Sequence, residues 1–156
     1  MDKVREFDKI LKQKEEQRFL MMKVIQIIFF GLSGMMMFLP YDANEAYISI
    51  IFPWYLLGMG VVFSLQPYVD IKDGQKLIKI YKYLEYMPVE KEDIFKVRKE
   101  YLDGICKKIG IAYVVCQCIT AVFTKDFGIV TILYPVAMTG GVWVMGLVHI
   151  RSGMRK

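Results

Sequence analysis

Four long apolar blocks constrain this chain more than any other feature: Phe19–Leu39, Tyr47–Gln66, Ile109–Thr124 and Phe127–Ile150. A bilayer core about 30 Å thick takes about 20 helical residues to cross. The first, second and fourth blocks meet that length. The third meets it by starting near Cys106, with Lys107 and Lys108 snorkelling to the interface. A soluble bundle would show a polar face on each helix, and these blocks do not. Hydrophobic residues make up 55% of the 156 residues, above the roughly 45–50% of soluble domains. The pattern predicts an all-α, polytopic membrane protein with four transmembrane helices.

Charge placement orients it. Of the 21 basic residues, every one but Lys125 lies in the amino-terminal stretch through Lys23, in the segment between the second and third blocks, or in the tail after Ile150. Basic residues flank spans on the cytoplasmic side. Both termini and the central segment are therefore expected inside the cell, in a multi-pass protein of the plasma membrane. The start of the chain is charged for eighteen residues before a block of full span length, which does not read as a cleavable signal peptide.

The expected organisation follows. Residues 1–18 form an amphipathic interface helix, with Val4, Phe7, Ile10 and Leu11 on one face, lying on the inner leaflet. A frayed basic tail is the alternative. Residues 19–66 form a first transmembrane hairpin, in which Gly31 and Gly34 offer a close-approach face. Residues 106–150 form a second hairpin and 151–156 a cytoplasmic tail. Pro53 and Pro135 each stand five residues before a glycine, Gly58 and Gly140, and are expected to kink their helices. A duplicated two-span unit and chance similarity both fit that match.

The connection over residues 67–105 is expected to be a cytoplasmic helical hairpin. "PYVDIKDG" reads as a turn into a first helix near Gln75–Tyr86, with Leu77, Ile78, Tyr81 and Leu84 on its apolar face. Met87–Pro88–Val89 breaks it, because a residue before proline avoids the helical region. A second helix starts near Glu90, with Glu92 and Asp93 in its first turn and Ile94, Val97, Tyr101 and Ile105 on one side.

Catalytic parts are scarce. The single histidine, His149, sits at the end of the fourth block, where packing or headgroup contact is its ordinary use. No acid lies within a proposed span, which argues against proton-relay transport. No phosphate-binding glycine-rich loop is present. Cys106, Cys116 and Cys118 are odd in number and lack partners for a zinc site, so they read as packing residues. Acids nearly balance bases in the central segment and no groove-reading motif accompanies it, so no nucleic acid is expected as a partner. The chain reads as no enzyme, with no cofactor and no metal.

The stretch "YLEYMPVEKEDIFKVRKEYL" resembles a segment of permease subunits of type-two ABC exporters. Those permeases show a leucine or methionine, Pro-Val, a short polar run, an isoleucine, and a basic helix leading into the next span. Here Met87, Pro88, Val89, Glu90, Glu92, Asp93 and Ile94 fill the pattern, although Glu90 and Lys91 replace the usual serine and basic residue. The resemblance implies that this connection is a coupling helix gripped by a separate ATP-binding cassette ATPase subunit, in a homo- or hetero-oligomer surrounded by membrane lipid. Family permeases have six spans, against four expected here. A small accessory, immunity or regulatory membrane protein without transport activity is the alternative.

Overall fold

The computed structural model describes residues 1–36, 46–73, 76–80, 82, 89–125, 128 and 130–154. Its order is α1 (Asp2–Lys14), α2 (Glu16–Met36), α3 (Ala46–Leu65), a 3-10 turn (Gln66–Tyr68), β1 (Asp70–Asp73), β2 (Lys76–Lys79), α4 (Lys91–Thr124) and α5 (Val130–Gly153). The chain is mostly helical. Three helices are long and apolar enough to cross a membrane, those beginning at Glu16, Lys91 and Leu133. They make this a chain built for a bilayer.

α4 decides the layout. It runs unbroken for 34 residues, about 51 Å at 1.5 Å per residue, which exceeds the thickness of a hydrocarbon core. Its charged half, from Lys91 to Lys108, is too polar for an apolar layer, and the half from Ile109 onward has the composition to cross one. The second expected connection helix and the third block are one rod.

Two cores sit on this rod. The larger joins Leu57, Val61 and Leu65 of α3 to Leu102, Cys106, Ile109 and Tyr113 of α4 and Met138, Val142 and Ile150 of α5. Several glycines serve close approach, Gly141 among them: a Cβ there would lie 2.7 Å from the Trp54 indole nitrogen. A buried hydroxyl chain ties the other helices in. Tyr113 Oη donates to Ser33 Oγ at 2.7 Å, and Ser33 Oγ donates to the Pro53 carbonyl at 2.8 Å. The second core lies at the charged end and gathers Val4, Leu11, Phe19, Ile71, Ile80, Ile94 and Val97. Tyr101 and Met154 pack against both cores and so join them.

Three expectations need correcting. The connection begins as an antiparallel ribbon and not as a helix: Asp70 pairs with Lys79, Ile71 with Ile78, Lys72 with Leu77 and Asp73 with Lys76. Asp70 and Lys79 set opposite charges across from each other at one end of that register, a favourable cross-strand arrangement. A lone two-stranded ribbon is marginal in water; this one is anchored by Ile71 and Ile80, 5% and 2% exposed, and by Ile80 N–H donating to the Val69 carbonyl. The fold is thus helical apart from this ribbon. Of the rest of the expected first helix, Ile80 and Lys82 are helical, and Tyr81 and residues 83–88 lie outside the described residues.

The second correction concerns α1. Val4 and Leu11 are buried against the protein itself, while Ile10 is 57% exposed. The face expected on the leaflet is a docking face for the rest of the chain. The third concerns glycines. Among the described residues nothing lies within 4 Å of a Cβ at Gly31 or Gly34, so no described neighbour uses them for close approach. Pro53 and Pro135 do lie inside helices.

Candidate functional site

The charged end of the molecule is organised around one buried ion pair. On α1, Val4, Asp8 and Leu11 follow a spacing of four and three and are all buried, which puts a carboxylate in the middle of the apolar stripe. On α4, Arg98 stands among Ile94, Val97 and Tyr101, and is only 1% exposed. Two guanidinium nitrogens meet the two carboxylate oxygens: Nη1 donates to Asp8 Oδ2, and Nη2 to Oδ1 at 2.7 Å. This bidentate fork is the geometry in which arginine binds carboxylate most strongly.

The remaining valences are also filled. Arg98 Nε donates to the Tyr68 carbonyl at 2.9 Å, and Tyr101 Oη donates to Asp8 Oδ2 at 3.2 Å. The guanidinium carbon lies 5.2 Å from the Tyr68 ring centre and 5.9 Å from that of Tyr101. Those rings are 5.0 Å apart, and Phe19 packs edge-on to Tyr68. Burial, with the Asp8 charge nearby, pushes the Tyr68 phenol above its ordinary pKa, so it stays neutral. Four segments meet here: α1, the start of α2, the turn after α3, and α4. A buried pair of this kind survives only if its hydrogen bonds are satisfied, and these are.

Around the pair runs a rim of contacts, the first two exposed and the Glu15–Arg18 pair largely buried. The Met1 amino group binds Asp93 at 3.0 Å, and Arg5 binds Glu100 at 2.7 Å. Glu15, at the corner between α1 and α2, binds Arg18 at 2.7 Å and accepts the Lys72 backbone N–H at 3.0 Å. Exposed pairs of this type stabilise little individually, but together they fix the direction of α1 along α4. On the far side, Trp143 Nε1 donates to Asp103 at 2.6 Å and so links α5 to the charged half of α4.

The residues of the expected coupling segment divide. Glu90 caps α4 in extended conformation, its carbonyl accepting the N–H groups of Asp93 and Ile94. Glu90 and Glu92 are exposed. Val89 is half-buried against the second core, and Ile94 is 2% exposed within it. Asp93 faces the amino terminus. Ile94 is therefore turned into the chain's own interior rather than toward a partner. Met87 and Pro88 lie outside the described residues.

Asp8, Arg98, Tyr68 and Tyr101 escaped the sequence reading. The signal was present as a carboxylate inside the Val4–Leu11 stripe and an arginine inside the Ile94–Tyr101 stripe. Among the described residues no three His, Cys, Asp or Glu side chains group as a metal site, and His149 Nε2 is buried without a hydrogen-bond partner. What the arrangement can do is mechanical: it locks the amino-terminal helix and the ribbon to the base of the α4 rod. Comparison with protein-family models, with curated proteins and with solved structures finds no match to this chain.

Proposed function

We propose that this chain is a four-span plasma-membrane subunit, both termini cytoplasmic, that works in the manner of an ABC exporter permease. In this reading α3 is the fourth span, and a separate ATPase grips the elbow before α4. One observation carries the reading: α4 is a single 34-residue helix from the elbow into the apolar bundle. Such a rod delivers displacement at Glu90 to Tyr113 and beyond without a joint to absorb it. The Asp8–Arg98 pair stiffens its base, so α1, the ribbon and the rod move as one body. Glu90 and Glu92, exposed at the tip, supply an acidic contact for a basic groove. Such rim charges act mainly on association rate and salt dependence.

The test is co-expression with an ATP-binding cassette ATPase from the same genome, followed by co-purification and ATPase assay. The expected result is a complex whose recovery falls several-fold with Glu90→Lys/Glu92→Lys, with membrane insertion unchanged. Absence of any ATPase in the complex overturns the reading.

A second reading is an accessory, immunity or regulatory protein without transport activity. It is favoured by the inward turn of Ile94 and the pairing of Asp93 with the amino terminus, which turn two of the expected contact residues toward the chain itself. Recovery of a different cytosolic protein, lost on the same charge reversal, would select it.

A further inference from the structure

The spans leave a cleft of about 460 Å³ between α2, the end of α3 and α4. Its lining includes Lys23 of α2 and Lys108 of α4, both exposed, together with Gln26 and Ser64. Its deeper wall is apolar, formed by Phe30, Ile109 and Ala112. No carboxylate lines the cleft, and among the described residues neither lysine has an ion-pair partner. α2 and α4 both run from the charged end, so Phe30 lies beyond Lys23 along α2 and Ala112 beyond Lys108 along α4. From Phe19 to Phe30 the lining runs about 16 Å along α2. That is longer than a headgroup and continues where acyl chain would lie.

We propose that this cleft binds one anionic phospholipid, its phosphate between Lys23 and Lys108 and the start of one acyl chain along Phe30 and Ala112. The choice of occupant rests on charge and polarity together. Two cations without a facing acid at interface depth select a phosphate. The apolar inner wall selects a phosphate that carries a hydrocarbon tail. The other polar groups of the lining, Gln26 and Ser64, suit the glycerol ester region. A zwitterionic lipid brings its own ammonium into the same space and gains less. Tyr68 also lines the cleft, at its charged end beside Phe19, and its carbonyl accepts from Arg98. Lipid in the cleft therefore covers one side of the Asp8–Arg98 assembly. The proposal rests on the bilayer placement of α2 and α4 and not on any ATPase.

The test is native mass spectrometry of the full chain in detergent, titrated with phosphatidylglycerol, with phosphatidylcholine, or with inorganic phosphate. Expected is one retained phosphatidylglycerol per chain, weakened about five-fold by Lys23→Gln or Lys108→Gln and about thirty-fold by both. Lys76→Gln, on the exposed ribbon, should leave it unchanged. Both cleft lysines are exposed, so the variants should keep the helix content of the parent, checked by circular dichroism. Equal retention of phosphatidylcholine, binding of inorganic phosphate with equal effect, or undiminished phosphatidylglycerol binding in the double variant each overturns the proposal.

Discussion

Replacing Arg98 with methionine tests the centre of the charged end directly. The side chain keeps an unbranched apolar stem but loses the guanidinium, its charge and its contacts with the Tyr68 and Tyr101 rings. What changes is Asp8: 4% exposed, it keeps only the Tyr101 hydroxyl, while the Tyr68 carbonyl loses its donor. Removing one member of a buried pair costs about 3–5 kcal/mol, because the other charge stays behind. Removing both, with Asp8→Leu/Arg98→Met, takes away the stranded charge as well and should cost far less, or even stabilise. The assay is amide exchange in nanodiscs over residues 4–11, which reports opening of α1 from α4. Arg98→Met should speed exchange there by about 10²–10³-fold, until free-peptide rates are reached. The double variant should restore most of the protection. If Arg98→Met leaves α1 exchanging within threefold of the parent, or if the double variant is no better than the single, the pair does not hold α1 and the argument fails.

Other predictions follow from contacts elsewhere. Gly141→Ala places a Cβ against the Trp54 indole and should destabilise by about 1–3 kcal/mol, whereas Gly140→Ala meets no described neighbour and should be neutral; equal midpoints in thermal unfolding would refute the packing. Ser33→Ala breaks the chain from Tyr113 to the Pro53 carbonyl, and should lower stability by about 0.6 kcal/mol, the average for hydrogen bonds between membrane helices; a stable variant with faster exchange nowhere in α3 would count against it. Single cysteines at Ala43 and Lys76 on a Cys-free background should divide by side: an impermeant maleimide outside intact cells labels the first and spares the second. Labelling at Lys76 reverses the topology.

The apolar blocks were legible because a bilayer imposes length and composition on each helix separately, with no knowledge of its neighbours. Three of the four returned as helices of span length and character by the same criteria. Close-approach glycines were not legible, since Gly31 and Gly141 look alike until the partner is known, and only Gly141 has Trp54 against it. The ribbon was misread for a different reason. "KLIK" fits a helical stripe, but Gly74-Gln75 between Asp73 and Lys76 is also the two-residue spacing of a hairpin with glycine first. Tertiary burial of Ile71 and Ile80 decided between them. Within the site, Val89 and Ile94 were correctly seen as apolar. Sequence periodicity alone does not say whether such residues face a partner or the chain itself.

The same ambiguity, with a physical resolution, explains α1. Val4, Phe7 and Leu11 would satisfy a lipid surface as well as a protein surface, and the lysines around them suit anionic headgroups. Asp8 does not. On the leaflet it would push a carboxylate into the headgroup–acyl boundary in the middle of the apolar stripe, where burying an unpaired charge is expensive. Docked on α4, it meets a fixed guanidinium, a phenol and a low-dielectric shell in which the pairing is strong. One residue thus turns an indifferent face into one with a single partner. It also sets the register, because a shift of one turn along α4 would leave Asp8 and Arg98 both buried and unpaired. An apolar residue at position 8 would leave the stripe intact and the choice open. Asp8→Leu in an otherwise unaltered chain should accordingly strand Arg98 and release α1 from α4, yet leave it helical and bound to anionic vesicles as an isolated surface helix. Loss of helix in that variant, rather than loss of docking, would show that propensity and not the ion pair decides where α1 lies.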